Sequence, residues 1–292
     1  MHDHDRRRGL AMSFAAATLF GVMAFGAKIA AGAVGGPLVA LARFTGAAII
    51  VGLVLAVTGR RLRPVAYRPL LVRGVAGGFA VLLYFMAIEH IGVGLATLLN
   101  FTSPVFTTLL SRLWLKEPLS ARTLTALAVA LTGVTMVLLG ERGVAHPATF
   151  GWLLVGLGSA ATSGIAVTAI RVSRQTDGPW EIFAAFTLSG MVCTAPFALP
   201  AALPAVPILV LIAGVAAVSV VAQILMTTAL KWVDAPTYGV VSQLSVVLAF
   251  ALGIGFLQER LPPLSVAGSA LTIAGVALAA WPRATSSTSP AS

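Results

Sequence analysis

Ten apolar stretches, each close to twenty residues long, dominate the sequence. A helix of roughly 20 mostly apolar residues spans the hydrocarbon core of a bilayer. Of the 292 residues, 58% are hydrophobic and only 10% are charged, which leaves too little polar surface to cover a water-soluble protein of this size. We therefore predict an all-α membrane protein with ten transmembrane helices at 10–33, 37–58, 70–89, 92–113, 121–140, 150–171, 180–199, 207–230, 236–257 and 263–281.

The sequence repeats itself at a constant offset of 142 residues. Adding 142 takes Glu117 to Glu259, and the same offset joins further identical residues, among them Pro37 and Pro179, Phe44 and Phe186, and Gly133 and Gly275. Each unit holds five predicted spans, and an odd number makes the second unit enter the membrane in the opposite orientation. We predict two inverted five-helix repeats at 10–140 and 150–281, with tails at 1–9 and 282–292, the latter disordered.

Lysine and arginine are distributed unevenly between the predicted loops. Two cations, Arg142 and Arg260, fall on one side of the membrane, whereas fifteen fall on the other: Arg6, Arg7, Arg8, Arg60, Arg61, Arg63, Arg68, Arg73, Arg112, Lys116, Arg122, Arg171, Arg174, Lys231 and Arg283. Because cytoplasmic loops carry the excess of cations, we expect both termini in the cytoplasm and the chain in the plasma, or inner, membrane. The net charge of +10 then reflects orientation in the bilayer rather than binding to nucleic acid.

The short loops and the few polar residues inside the predicted spans exclude several classes of membrane protein. No predicted loop exceeds about a dozen residues, which leaves no room for an ATP-hydrolysing domain. The predicted spans contain no nucleophile and base pair and no metal triad, so neither an enzyme nor a bound cofactor or metal is expected. Inverted repeats are a recurring architecture of secondary transporters, in which a small-molecule substrate binds where the two units meet.

Two paired segments resemble a known family. Leu-Lys-Glu-Pro-Leu at 115–119 is followed by Leu-Thr-Gly-Val at 131–134, and Leu-Gln-Glu-Arg-Leu at 257–261 is followed by Ile-Ala-Gly-Val at 273–276. In these segments, and over nearly its whole length, the chain resembles EamA-type members of the drug/metabolite transporter superfamily. The resemblance implies ten helices in two five-helix repeats and export or facilitated transport of amino acids, other metabolites, sugars or drugs.

Polar residues inside the predicted spans are the candidate site residues, because ionisable and amide groups are costly at membrane depth. Lys28 and Arg43 lie in the outer third of their spans, where they could bind an anionic group or reach out to the membrane surface. Pro104 should kink the fourth span and leave the carbonyl of Asn100 without its helical hydrogen bond. Asn100 then either lines a cavity or bonds a neighbouring helix. Further candidates for substrate binding are Tyr84, Gln223, Tyr238 and Gln243.

The paired glutamates have a different expected role. Glu117 and Glu259 each precede a predicted helix, whose positive N-terminal end would stabilise a carboxylate, so we interpret both, with Pro104, as structural or gating residues. The glycines of 74–78 have the spacing that lets two helices approach closely, and we interpret them as packing residues.

Several alternatives stay open. The substrate is either a small metabolite such as an amino acid or a drug-like amphiphile, and a lipid-translocating or accessory membrane subunit is the remaining alternative. Since no acidic residue falls deep within a predicted span, exchange or facilitated diffusion is as compatible with the sequence as proton coupling. The sequence does not distinguish a monomer from a homo-oligomer.

Overall fold

A computed structural model describes residues 3–59, 61–114, 121–142, 147–173, 175–198, 204–229, 232–233 and 235–280. Throughout these residues the protein is helical, and no strand occurs among them. The helices are α1 (Asp3–Val34), α2 (Gly36–Thr58), α3 (Tyr67–Ile91), α4 (Val93–Asn100), α5 (Ser103–Trp114), α6 (Ala121–Arg142), α7 (Pro147–Ser173), α8 (Pro179–Thr194), α9 (Val206–Ala229), α10 (Ala235–Leu257) and α11 (Pro263–Ala280), with a 3₁₀ turn at Ala195–Phe197.

All ten predicted spans overlap helices of the structure, but the number of helices differs. Eleven α-helices are described because the fourth predicted span is divided into α4 and α5. Within the described residues, six helices are long and apolar enough to cross a membrane. Four shorter apolar segments accompany them: Val93–Thr107, which comprises α4 and the start of α5, and Leu124–Gly140, Val241–Leu257 and Pro263–Leu278. A count of ten complete crossings therefore stays a prediction.

The predicted kink at Pro104 is confirmed, and it is a full interruption of the helix. Because proline has no amide proton, Pro104 cannot continue the α4 hydrogen-bond ladder. The chain turns through Phe101 and Thr102. The Thr102 amide donates to the carbonyl of Leu99 at 3.1 Å, and the Thr102 hydroxyl donates to the same carbonyl at 2.6 Å. Both bonds use the carbonyl of Leu99, and α4 ends at the next residue, Asn100.

Contacts between helices pair the two halves of the chain symmetrically. The repeat makes α1 equivalent to α7, α2 to α8 and α3 to α9. It also makes α4 and α5 together equivalent to α10, and α6 equivalent to α11. Three equivalent pairs contact each other directly, namely α2 with α8, α4 with α10, and α6 with α11. Two other pairs of contacts between the halves are also matched, since α1 packs on α9 as α3 packs on α7, and α2 packs on α9 as α3 packs on α8. The halves therefore form a self-complementary interface, like that of a two-fold dimer.

Glycines allow the closest helix crossings, which confirms that the glycine-rich segment of α3 is a packing surface. A Cβ atom added to Gly78 would lie 2.9 Å from the Cα of Gly190 on α8. One added to Gly133 on α6 would lie 2.6 Å from the carbonyl oxygen of Gly268, and one added to Gly275 on α11 would lie 2.7 Å from the Cα of Ala130. Small residues at these crossings bring the two halves into backbone contact.

Candidate functional site

The site lies where α2 and α8 meet, around two phenylalanines that occupy equivalent positions in the halves. Phe44 of α2 and Phe186 of α8 are 142 residues apart, and their rings contact edge to face with centroids 5.1 Å apart at 78°. Both are buried, with 1% and 6% of their surfaces exposed. A contact between equivalent residues lies on the axis that relates the two halves, so this ring pair marks the centre of their interface.

Arg43 precedes Phe44 on α2 and is buried beside the ring pair. Its Nε donates a hydrogen bond to the hydroxyl of Ser219 on α9, which ties the first half to the second. The guanidinium carbon lies 5.9 Å from the ring centroid of Phe44 and 6.0 Å from that of Phe85. These aromatic rings and a single hydroxyl replace the water that would otherwise surround the charge.

A second buried arginine, Arg73 on α3, was missed by the sequence analysis, which counted it among the loop cations. In the structure only 7% of Arg73 is exposed, and its guanidinium carbon lies 4.0 Å from the centroid of the Phe186 ring. Arg73 is close enough to Arg43 for the two charges to repel each other. One signal was available: Arg73 lies inside the predicted span 70–89, directly before the glycine-rich segment of α3.

A small cavity of about 10 Å³, room for roughly one water molecule, lies beside Arg43. Its polar groups are the Arg43 guanidinium, the Ser219 hydroxyl and the Gln223 amide, and aromatic rings form much of the rest. The lining residues come from α2, α8 and α9, and they are Arg43, Phe44, Ala47, Phe183, Phe186, Ser219, Val220 and Gln223. Of the candidates named from the sequence, the structure thus brings Arg43 and Gln223 together. A few polar groups among several rings form the kind of lining that small-molecule sites have, and the halves would have to separate here to admit more than a water molecule.

Tyr84 lies near this site without lining the cavity. Its ring packs against Phe85, with centroids 5.6 Å apart, and its hydroxyl oxygen lies 2.8 Å from that of Thr97 on α4. Arg43 and Tyr84 are close enough to interact electrostatically. Tyr84 therefore connects the surroundings of Arg43 to the middle of α4.

Three other candidates lie elsewhere. The Asn100 side-chain amide donates to the hydroxyls of Ser159 at 3.0 Å and Ser163 at 3.4 Å on α7, so it binds a neighbouring helix at the break between α4 and α5. Gln243 is buried on α10, and Tyr238 is half-buried on the same helix. Neither residue lines the cavity beside Arg43.

Glu259 stabilises a helix N-terminus, as its sequence position suggested, but the helix belongs to the other half of the chain. Its carboxylate accepts hydrogen bonds from the backbone amides of Val93 at 2.7 Å and Gly94 at 3.3 Å, in the first turn of α4. The expected partner was α11, the helix that follows Glu259. A carboxylate is stabilised by the free amides and the dipole at a helix N-terminus. Glu117, which is equivalent to Glu259 in the repeat, lies outside the described residues.

Lys28 lies at the same end of the helix bundle as Glu259. Its ammonium group donates to the carbonyl oxygen of Glu89 at 2.6 Å, and it is attracted electrostatically by the carboxylates of Glu259 and Glu89. The Glu89 carboxylate in turn accepts from the amide of Gly36 at 2.6 Å, at the start of α2. Lys28 therefore belongs to a charged cluster at one end of the bundle rather than to the cavity.

The opposite end of α3 carries a second contact between the halves, which the sequence analysis did not identify. Asp177, between α7 and α8, accepts hydrogen bonds from the amides of Val65 at 2.7 Å and Ala66 at 3.0 Å, directly before α3. Burial by itself would raise the pKa of the Asp177 carboxyl. The hydrogen bonds that the carboxylate accepts from Val65, Thr176 and Ala66 have the larger combined effect, so the pKa lies below its ordinary value of 3.8. The carboxylate is therefore ionised at neutral pH.

Comparisons with known proteins agree with this arrangement. The model of the EamA-like transporter family matches residues 7–139 and 150–281. The chain is 29% identical over 209 residues to the pseudopaline exporter CntI of Pseudomonas aeruginosa, covering 70% of this chain and 72% of that protein. It is also 30% identical over 138 residues to an uncharacterized transporter of Helicobacter pylori, covering 45% of each chain. A solved crystal structure has the same fold, with a TM-score of 0.66 at 23% identity, over 93% of this chain and 96% of its own.

The family match covers both halves of the chain, one repeat in each. The protein is thus a multi-pass membrane transporter for small molecules and not an enzyme. The chain belongs to the EamA-like transporter family.

Proposed function

We propose that the protein is a secondary transporter that exports small organic metabolites by alternating access between its two halves. The observation that carries this proposal is the ring contact between Phe44 and Phe186, which lies between the two halves beside a cavity with polar groups. In secondary transporters built from inverted repeats, the substrate binds between the repeats and one repeat rocks against the other. The similarity to an exporter of the metabolite pseudopaline supports export as the direction.

An inverted arrangement of ten crossings is part of this proposal. Gly9, near the start of α1, has the side chains of Trp232 and Val233 as close neighbours. Trp152, near the start of α7, stacks on His90 near the end of α3, with ring centroids 3.6 Å apart. Lys28 near the end of α1 binds Glu89 near the end of α3, so α3 runs in the same direction as α1 and these contacts support opposite starting ends for the two halves. With the cation distribution, they favour cytoplasmic termini in the plasma membrane.

The contacts at the two ends of the interface suggest how access alternates. Glu259 of the second half binds the amides of Val93 and Gly94 in the first half at one end of the bundle. Asp177 of the second half binds the amides of Val65 and Ala66 of the first half at the other end. Each contact must break for the halves to separate at its own end. We assign the Glu259 contact to the outer gate and the Asp177 contact to the cytoplasmic gate.

Reversible bridging tests this mechanism. In a Cys193→Ser background, Val93→Cys with Glu259→Cys would bridge the first end, and Val65→Cys with Asp177→Cys would bridge the second. Oxidation of either pair to a disulfide should stop substrate exchange in liposomes, and reduction should restore it, because a carrier that cannot open at one end cannot complete its cycle.

A bridge within one half provides the matched control. Lys28 and Glu89 both belong to the first half and lie at the same end as Glu259. Oxidised Lys28→Cys/Glu89→Cys protein should exchange substrate as fast as its own reduced form. Full exchange by a protein bridged between the halves would contradict alternating access.

A further inference from the structure

We propose that Arg43 and Arg73 together form an anion-binding site at the contact between the halves, and that the transported molecule is a small organic anion bearing carboxylate groups. The anion-binding site follows from the geometry of the two arginines. The identification of its ligand with the transported molecule rests on the function proposed above.

The two arginines lie against the two members of the central ring pair. The Arg43 guanidinium lies 5.9 Å from the Phe44 ring, the Arg73 guanidinium lies 4.0 Å from the Phe186 ring, and these two rings contact each other. Arg43 comes from α2 and Arg73 from α3, while Phe186 comes from the second half. Both charges therefore converge on the place where a substrate between the halves would bind.

Neither arginine has an acidic partner in the part of the chain that the structure describes. The interactions of Arg43 are with the Ser219 hydroxyl, aromatic rings and Tyr84, and those of Arg73 are with Phe186 and Arg43 itself. Two buried like charges without a counter-charge are costly, because burial removes their water and each raises the energy of the other. A bound anion would offset both costs.

Arg73 also has an unused donor. Its Nε is buried and has no hydrogen-bond partner among the residues that the structure describes. Buried donors are nearly always paired, so an unpaired one within a charged group calls for a ligand. The guanidinium presents its donors in a planar fork that matches the two oxygens of a carboxylate, which a lysine ammonium does not.

Gly77 leaves the space that Arg73 occupies. A Cβ atom added to Gly77 would collide with Nη1 of Arg73 and would lie 2.8 Å from the Phe186 ring. Stacking on a ring would by itself satisfy the face of the guanidinium, but it leaves the edge, where the N–H donors lie, available. The cavity beside Arg43 lies at that same ring, since Phe186 lines it.

The binding experiment uses three molecules of the same length that differ in charge: glutarate with two carboxylates, its half-amide with one, and glutaramide with none. Thermal unfolding of the purified full chain is followed in detergent at constant ionic strength with each molecule. We expect stabilisation in the order of the carboxylate count, because a ligand that binds only the folded state raises its stability. No stabilisation, or equal stabilisation by all three molecules, would overturn the proposal.

Four variants separate a binding role from a packing role. Arg43→Gln and Arg73→Gln should each raise the half-saturating glutarate concentration at least tenfold, the scale of a lost charged hydrogen bond. Arg73→Lys should recover part of the loss, since it keeps the charge but not the fork. Arg68→Gln removes an exposed charge from the same helix, α3, and should leave glutarate binding unchanged. Unaltered binding by both Gln variants at Arg43 and Arg73, once folded, would overturn the proposal.

Flux measurements keep this inference distinct from the transport proposal. The same proteins in liposomes are tested for exchange of labelled glutarate and of labelled putrescine, an organic cation. Exchange of putrescine but not glutarate would leave the carrier intact and overturn the anion assignment. Glutarate binding without exchange of either compound would support the arginine site and contradict the assignment of that anion as the transported molecule.

Discussion

Phe44 and Phe186 occupy equivalent positions in the two halves of the chain, and their rings contact each other edge to face with centroids 5.1 Å apart. The repeat offset of 142 residues therefore has a direct structural meaning, since it pairs two side chains at the centre of the interface. The two buried arginines lie against these same rings, and both rings line the cavity. The packing that joins the halves and the polar groups that suit a substrate thus share the same residues.

The ring contact predicts coupled stability effects. Phe44→Ala and Phe186→Ala should each destabilise the protein, and the double variant should lose less stability than the sum of the two. The difference should be about 0.5–1.5 kcal/mol, the size of an aromatic pair interaction. Thermal unfolding of the wild type, both single variants and the double variant in detergent measures it. Additive losses would contradict a direct contact between the two rings.

The carboxylates of Glu259 and Glu89, near Lys28 at one end of the helix bundle, predict local changes in hydrogen exchange at the amides that they bind. Glu259→Ala should speed hydrogen exchange at the amides of Val93 and Gly94, since it removes their acceptor, and should cost about 0.5–2 kcal/mol, as for a lost helix cap. Glu89→Ala should instead speed exchange at Gly36. Hydrogen exchange resolved by peptide tests both variants, and each serves as the control for the other. Uniform acceleration over the whole chain would indicate general loss of structure instead.

Asp177 predicts a pH dependence of stability. Its folded-state pKa is lower than the ordinary value of 3.8, so the ionised carboxylate contributes stability that is fully present above pH 3.8 and is lost as the pH falls through the lowered pKa. Asp177→Asn should therefore lower the unfolding temperature at neutral pH and flatten its decline at acidic pH. Unfolding temperatures of both proteins between neutral pH and pH 3 give the two curves. Parallel curves would show that the contact with Val65 and Ala66 does not depend on this charge.

Two glycines in different surroundings predict different effects of an added methyl group on stability. Gly275 lies at the close crossing of α6 and α11, whereas Gly214 lies on α9. Gly275→Ala should destabilise the protein by about 1–3 kcal/mol, because its added methyl would meet the backbone of Ala130. On α9, a Cβ atom added to Gly214 would have no described residue from outside its own stretch of helix within 4 Å, so Gly214→Ala should be neutral or stabilising by about 0.4–1 kcal/mol. Thermal unfolding of both variants measures the difference. Equal effects would contradict the close approach at Gly275.

Much of the fold could be predicted from the sequence because bilayer thickness constrains apolar helices strongly. The runs of apolar residues located every helix, and Pro104 located the break between α4 and α5. The constant offset related Phe44 to Phe186, whose rings meet in the structure. These features depend on local composition and on spacing along the chain, which the sequence contains directly.

The candidate site was harder to predict because it depends on which side chains meet across the interface. Arg73 is only six residues from the start of α3, a position where an arginine commonly extends to the membrane surface, and its burial results from Gly77 and Phe186. Lys28 and Arg43 were predicted to lie at similar depths in the membrane. In the structure, Lys28 joins a charged cluster at one end of the helix bundle, whereas Arg43 lies beside the rings of Phe44 and Phe85. The partner of Glu259 is 165 residues away along the chain, so no local pattern could reveal it.

The central claim is that the protein is a carrier, and counterflow in liposomes tests it most directly. Purified protein is reconstituted with an unlabelled pool inside and the labelled pool outside, using amino acids, other carboxylates and amphiphilic drugs in separate pools, with and without a pH gradient. We expect transient accumulation of label for a pool that contains carboxylates, and none in the oxidised Val93→Cys/Glu259→Cys protein. Labelling equal to that of protein-free liposomes for every pool would contradict it.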